Sequence, residues 1–474
     1  MTQDTRRTIV AAPSSIADAP SPTDVQGLSL DAPTRRTVLR RAVEAVIWGM
    51  PAVNTDLMRQ EMIAKTKGTV NQFVYWSKPI NWKNQTLTPN PDSIYFMAFF
   101  DTKDAGPIVL EIPPADDGGS FAGNIVTLWQ ASLEDVGPEG LDRGQGGKFL
   151  ILPPGYRDKP PAGYHVLQCD TYSGYALLRS SLDSHADADV ERSVAYGKRT
   201  KIYPLGQAAH PPETIFTDAY DIFFDATIPW DLRFFKSLDH VVQSEPWNQR
   251  DRAMIDQLRS IGIEKGLPFL PDPKTQDVLY EAALEAKAWL ERQYEMGFPP
   301  FWPGRRWAMP AWPEVIQGQA TNYANPDSYP VDMRGLVYTY AYISIKRLGT
   351  AQYYLMTIRD KYGRTLDGSR TYCLRVPANP PTKQYWSATA YDRATHALIR
   401  GMLRASRSSQ ISDLQKNADG SIDIYFGPKA PSGKEANWVP TSAEGKFEVM
   451  FRLYGPEKSF FEKKWVLPDI ERVD

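Results

Sequence analysis

The chain is poor in the two residue types that most often hold metals and covalent staples. Its 474 residues include two cysteines, Cys169 and Cys373, and five histidines. Two cysteines cannot build a disulfide framework, and each lies in a strand-like stretch, "HVLQCDTY" and "RTYCLRVP", so both are expected as free buried thiols. No two of His165, His185, His210, His240 and His396 stand at helical or turn ligand spacing. A zinc site built from one local motif is therefore not expected, although ligands gathered from distant segments stay open. There is no Gly-x-Ser-x-Gly elbow and no dinucleotide-binding glycine pattern. "GQGGK" (144–148) lacks the spacing and the Ser/Thr of a phosphate loop.

Long apolar runs are missing too. No stretch approaches the roughly 20 residues that cross a bilayer. One-sided charge is missing as well: 54 basic against 56 acidic side chains leave a net −2, which argues against nucleic acid or an anionic membrane as a bulk partner. The N-terminal "MTQDTRRTIVAAPSSIADAPSPTD" carries arginines but no continuous apolar segment. It reads as a disordered tail over residues 1–34, and the expected location is the cytoplasm.

What is present is aromatic and proline-rich: 12% Phe, Trp and Tyr, with 39 prolines. That mixture suits β domains with rigid turns, or aromatic-lined pockets. "TRRTVLRRAVEAVIWGM" has its apolar residues at helical spacing. Pro51 is expected to end or kink this helix, with a second helix over "PAVNTDLMRQEMIAKT". Short apolar runs punctuated by Pro and Gly follow, among them "SIYFMAFF", "GPIVLEIPP", "NIVTLWQASL" and "KFLILPPGY". They predict an antiparallel sandwich. From about residue 230 the periodicity turns helical, through "TQDVLYEAALEAKAWLERQYEMG" to the Trp- and Pro-rich "FPPFWPGRRWAMPAWPEV". A β-rich region begins near 331, and "YYLMTIRDKYGRTLDGSRTYCLRVP" reads as a hairpin.

Several long strings resemble a large, mostly bacterial family that joins two domains of unknown function, those numbered 1254 and 1214. In the first half they are "TPNPDSIYFMAFFDTKDAGPIVLEIPP", "WQASLEDVGPEGLDRGQGGKFLILPPGY" and "IPWDLRFFKSLDHVVQSEPWNQRD". In the second half "YWSATAYD", "NADGSIDIYFGPKAPSGKEANWV" and "FRLYGPEKSFFEKKWVLPDIE" carry it. The resemblance implies a mainly β, α+β multidomain chain: an N-terminal β-sandwich with leading helices (35–229), a helical segment and connector (230–330) and a C-terminal jelly-roll-like domain (331–474). It brings no activity and no catalytic residues, so function has to be argued from side chains.

The most promising span is "TPNPDSIYF" (88–96). Pro89 and Pro91 restrict the backbone around Asn90 and Asp92 at the mouth of an apolar strand. A carboxylate at an aromatic pocket serves as general acid or base when its pKa is raised. The alternative is that Asp92 merely caps the turn. Trp129, Glu134, Asp135, Asp142 and Lys148 lie on or beside a glycine-rich loop, where Lys148 could meet an anion. "YWSATAYD" offers Trp386 and Tyr391, "EANWV" and "FRLYG" offer Asn437, Arg452 and Tyr454, and packing is their default role. His396 is the first histidine to consider for a nucleophilic site. Asp225, Asp231 and Arg233 suggest a staple between domains. "NADGSID" (417–423) lacks the closing ligands of a calcium loop.

The expectation is a cofactor-independent acid–base enzyme, a hydrolase or lyase, acting on a small polar or carbohydrate-like molecule. Asp92 and Tyr95 would be catalytic, and Asn90, Trp129, Lys148, Trp386 and Tyr391 would bind substrate. No metal is assigned. The competing expectation is a non-catalytic ligand-binding or assembly protein, with the aromatic loop 301–313 open to a homo-oligomer contact.

Overall fold

The computed structural model describes residues 31–341, 345–349 and 351–474. Of the tail expected over residues 1–34, all but the last four residues lie outside the described residues. Those four open helix α1 (Asp31–Thr66).

Helix α1 continues through Pro51 without the expected break. Proline cannot donate to the carbonyl four residues earlier and crowds it, which leaves the Ile47 carbonyl free. A neighbour occupies that space: a Cβ placed on Gly335 would lie 2.7 Å from the Ile47 oxygen, so only glycine lets this backbone come so close. The Pro51 carbonyl accepts from Gln130 Nε2 at 3.0 Å and Thr55 Oγ1 at 3.2 Å. Packing thus carries the helix across a residue that would end it in isolation.

The N-terminal strands are β1 (Gln72–Tyr75), β2 (Asn84–Gln85), β3 (Ile94–Asp101), β4 (Ile108–Ile112), β5 (Phe121–Thr127), β6 (Ser132–Val136), β7 (Gly147–Leu152), β8 (His165–Gln168) and β9 (Ser173–Ser180). Helix α2 (Asp187–Gly197) precedes β10 (Lys201–Pro204), β11 (Phe216–Asp218) and β12 (Phe224–Asp225). One sheet runs β11-β1-β3-β9-β5-β6 and the other β10-β4-β7-β8. The sandwich is mostly antiparallel, with parallel pairs only where β11 and β8 add edges. "NIVTLWQASL" is not one strand but a turn: β5 and β6 pair as neighbours through it, and Gln130 adopts φ 59° there.

Strand β3 explains its unbroken apolar sequence. Successive side chains of a strand face opposite sides. Ile94, Phe96, Ala98 and Phe100 fill the sandwich interior. Tyr95, Met97 and Phe99 face a second core built with α1 and the later helices. A strand buried on both faces shows no polar alternation.

Those helices are α3 (Leu232–Ser244), α4 (Met254–Arg259), α5 (Pro273–Met296), α6 (Pro313–Ala320) and α7 (Val331–Val337), and α1 packs on α3, α4, α5 and α7. The C-terminal strands are β13 (Gln352–Thr357), β14 (Tyr372–Val376), β15 (Thr382–Asp392), β16 (Ser406–Ser408), β17 (Ile422–Gly427), β18 (Trp438–Pro440), β19 (Phe447–Pro456) and β20 (Glu471–Arg472), with helix α8 (Lys458–Phe461) before the last. They make two four-stranded sheets, β13-β19-β15-β16 and β18-β17-β14-β20, around one core. The expected hairpin of β13 and β14 does not form. Strand β13 pairs with β19 and β14 with β17 and β20, so residues 358–371 cross from one sheet to the other. The turn signals are real but serve a sheet switch, which local sequence does not distinguish from a hairpin.

The aromatic loop buries Trp302 and Trp307 but exposes residues 303–306. Trp307 is fully buried, with its Nε1 donating to the Pro468 carbonyl at 2.8 Å, and Trp302 packs on Phe460.

Candidate functional site

The span 86–93 is buried throughout, which is unusual for a turn. Several of its polar groups bond the C-terminal domain. Thr88 N–H donates to the His396 carbonyl at 2.7 Å and Thr88 Oγ1 to the Tyr340 carbonyl at 2.8 Å. The Thr88 and Pro89 carbonyls accept from Arg452 Nη2 at 2.8 Å and Tyr391 OH at 2.7 Å. Thr88 holds φ 36°, a strained value for a β-branched residue that only surrounding contacts sustain.

Asn90 and Asp92 divide the work differently from the sequence expectation. Asn90, not Asp92, caps the turn: its Oδ1 accepts from Asp92 N–H at 3.1 Å. Its Nδ2 donates to Tyr385 OH and Tyr454 OH, both at 2.9 Å, and its own N–H donates to Tyr95 OH at 2.8 Å. Asp92 reaches across the domain seam. Its Oδ2 accepts from Ser406 Oγ at 2.7 Å, and its Oδ1 lies 3.3 Å from His185 Nε2. Burial opposes charge on His185, but the Asp92 carboxylate and Gln410 more than offset this and raise its pKa.

Beside this turn lies a cavity of about 40 Å³ between the two β domains, room for a few water-sized spheres. Register places its polar groups. Tyr95 on β3 is paired directly with Arg179 on β9, and Arg179 Nε approaches Tyr95 OH at 3.4 Å. From the other domain, Arg452 and Tyr454 on β19 and Tyr354 on β13 lie on the face away from their own core. Of these, Arg452, Arg179, Tyr95, Tyr354 and Asn90 line the cavity.

The two arginines are the unusual part. Arg179 is 7% exposed and Arg452 1%. Among the described residues neither has a carboxylate within ion-pair reach. Arg179 Nη1 and Arg452 Nε are buried without a hydrogen-bond partner. Arg452 otherwise bonds Thr88 O and Thr389 Oγ1 and lies over the rings of Tyr354 and Tyr391. A buried charge normally has a counter-charge, because desolvation costs several kcal/mol per ion (about that much after relaxation). Burial holds the Tyr385 and Tyr454 phenols well above the ordinary tyrosine range, so both remain neutral O–H groups. Tyr354 and Tyr454 hydroxyls lie 3.2 Å apart.

The other expected site residues are placed elsewhere. Trp129 packs on Trp48 beneath the helices, ring centroids 4.7 Å apart. Lys148 stands on β7 opposite Glu111, in the outer sheet of the sandwich. Trp386 stacks on Phe451 inside the C-terminal core at 5.5 Å. Tyr391 borders the turn through its bond to Pro89 and lies under Arg452. Asp142 ties its own loop, accepting from Gly137 N–H at 2.7 Å and Gly146 N–H at 3.2 Å. Glu134 and Asp135 hold the segment at 346–347: Asp135 accepts from the N–H groups of Lys346 and Arg347, and Glu134 pairs with Arg347. Asp231 does not bridge domains but caps α3 and pairs with Arg233 two residues on. Asp225 makes the long-range link instead, with Arg400 at 2.8 Å.

His396 belongs to a second, larger cavity of about 270 Å³. Its Nδ1 lies 2.9 Å from Glu448 Oε1, and Tyr294 OH donates to Glu448 Oε2 at 2.6 Å. Among the described residues no three His, Cys, Asp or Glu side chains gather closely enough to hold a metal, and no helix is long and apolar enough to cross a membrane.

Two family profiles match the chain: "Protein of unknown function (DUF1254)" over residues 70–204 and "Protein of unknown function (DUF1214)" over 351–458. No curated protein matches it. Among solved structures, the VPA0106 protein from Vibrio parahaemolyticus is similar over 92% of this chain and 100% of its own, at TM-score 0.55 and 18% identity. That likeness concerns the fold alone. An uncharacterised protein from Burkholderia cenocepacia aligns over 93% of this chain and 94% of its own, at 12% identity and TM-score 0.39.

Proposed function

The chain belongs to the family that joins DUF1254 to DUF1214, and on that premise we propose that the seam between its two domains binds a small anionic molecule on Arg179 and Arg452. One observation carries this reading: two buried guanidiniums border one cavity, and among the described residues no carboxylate neutralises either. Guanidinium matches carboxylate and phosphate geometry with paired N–H donors. A bound anion would supply the counter-charge that the protein omits.

Within this reading the chemistry is acid–base, of hydrolase or lyase type. Tyr95 is the group to move a proton. Its oxygen already receives the Asn90 N–H and the Arg179 Nε–H, which leaves its own hydrogen to donate into the cavity. Asn90 has all its polar atoms engaged by protein, so it positions the phenols rather than touching ligand. Asp92 lies behind the wall and acts as a tie between domains. The reading calls for no cofactor. Both cysteines are free thiols, and burial pushes the Cys169 thiol up to about 12, which fits a reducing cytoplasm.

The test is thermal stabilisation by acetate, citrate and inorganic phosphate in the wild type and in Arg179→Met. Ligand that binds only the native state raises its stability with occupancy. Protection by an anion that vanishes in the variant supports the site. A wild type indifferent to all three anions removes it.

A further inference from the structure

A second chamber adjoins the arginine cavity. It shares Arg179, Pro310 and Tyr354 with it as a common wall, and has a volume of about 30 Å³. Its character is different. Met309, Pro310, Ala311, Ile316, Ile345 and Leu348 are six of its eleven lining residues. Of the polar side chains there, Asn124 Nδ2 donates to Asp135 Oδ1 at 2.7 Å and Tyr353 OH lies 3.4 Å from the Met309 sulfur, while the buried Gln352 Oε1 has no hydrogen-bond partner. Among the described residues no cation other than Arg179 borders it.

An apolar chamber beside an unneutralised, buried guanidinium is a divided environment. Along the apolar lining, away from Gln352, water gains little, because it needs two to four polar partners to be held. An inorganic anion would fill the charged side and leave the apolar side empty. We infer that the ligand of this site is an amphipathic anion, with a carboxylate or phosphate head on Arg179 and Arg452 and an apolar tail in the chamber of Ile316 and Leu348. This rests on the anion site proposed above and adds the class of molecule. The head supplies the missing counter-charge, and the tail removes apolar surface from water on both sides. Small polar sugars suit this division poorly, because beyond the Gln352 oxygen the apolar lining offers their hydroxyls few partners.

Calorimetric titration with acetate, butanoate, hexanoate and octanoate, beside inorganic phosphate and octyl phosphate, tests the inference on the full chain. Each buried methylene is expected to tighten binding about fourfold until the chamber is full. Leu348 is 37% exposed, so the uncharged Leu348→Asn is compatible with the fold. It should flatten the gain with chain length, read as the ratio of hexanoate to acetate affinity within the variant. Octanoate tighter than octyl phosphate would identify a carboxylate head, and the reverse a phosphate head; both support the inference. Acetate and phosphate binding without any gain from octanoate would overturn the inference and leave the anion site standing. Failure of every ligand would overturn both.

Discussion

Ser406 Oγ, on a strand of the C-terminal domain, donates to Asp92 Oδ2, in a turn of the N-terminal domain, at 2.7 Å. Both groups are buried, and 314 residues separate them in sequence. The turn at 88–92 is therefore a plug seated in the C-terminal sheet, and the arginine cavity exists only because the two domains are held in this register.

Removing the tie should cost stability rather than ligand binding. Asp92→Ala leaves the Ser406 hydroxyl without its acceptor and His185 without its ion-pair partner, and a buried unsatisfied group costs about 1–3 kcal/mol. The thermal midpoint should fall accordingly. In Asp92→Asn, which keeps an acceptor for Ser406, anion affinity should stay within about threefold of wild type on the scale of a few tenths of a kcal/mol.

His185 makes the same seam sensitive to pH. Burial favours its neutral form, yet Asp92 and Gln410 raise its pKa above the ordinary 6.5, against a smaller opposing effect from Arg407. The native state thus holds the proton more tightly than the unfolded chain. The resulting stabilisation is complete below pH 6.5 and is lost as pH rises through the higher native value. Midpoints measured from pH 5 to 9 should show wild type losing its advantage over His185→Ala toward the alkaline end. An unchanged gap across that range would contradict the Asp92–His185 pairing.

Arg179 should be expendable for folding. Its polar bond within the protein is the long one to Tyr95, and one of its nitrogens is orphaned. Replacing a buried unpaired charge with an apolar side chain of similar length is often neutral or stabilising, by up to about 1–4 kcal/mol. Arg179→Met should melt no lower than wild type in the absence of ligand and should lose anion protection. Arg452→Met is a different case, because Thr88 O and Thr389 Oγ1 lose a donor, and a lower midpoint is expected.

Asn90 should behave as a structural hub. Asn90→Ala strips the acceptor from Asp92 N–H and the donor from two phenols, a loss of roughly 2–4 kcal/mol when summed over buried partners. Denaturant unfolding with an unchanged m-value would show this as a shift of midpoint alone.

Much of this architecture was legible in the sequence. The apolar run of β3 announced a buried strand, Pro89 and Pro91 marked a rigid entrance, and Asn90 and Tyr95 do border the cavity. Other features were not legible, for physical reasons. Pro51 sits inside a helix that packs closely on Gly335, far away in sequence, whose backbone approaches the freed Ile47 carbonyl. The switch of β14 to another sheet depends on pairing with β17 and β20, which no local turn signal encodes. Arg452 and Tyr454 were visible in "FRLYG" but carried only a packing role. Arg179 in "SGYALLRS" passed unnoticed, although a lone cation in a strand buried at every position is the available signal. His185 gave none, since its partner Asp92 is far away in sequence.

The most direct test of the central claim is a calorimetric titration of octanoate into wild type, Arg179→Met, Arg452→Met and the double variant. The account predicts that each single substitution weakens binding at least tenfold, about 1.4 kcal/mol, and that the double variant binds nothing measurable. Wild-type affinity in both single variants, with the fold intact, would mean that the paired arginines do not hold the ligand.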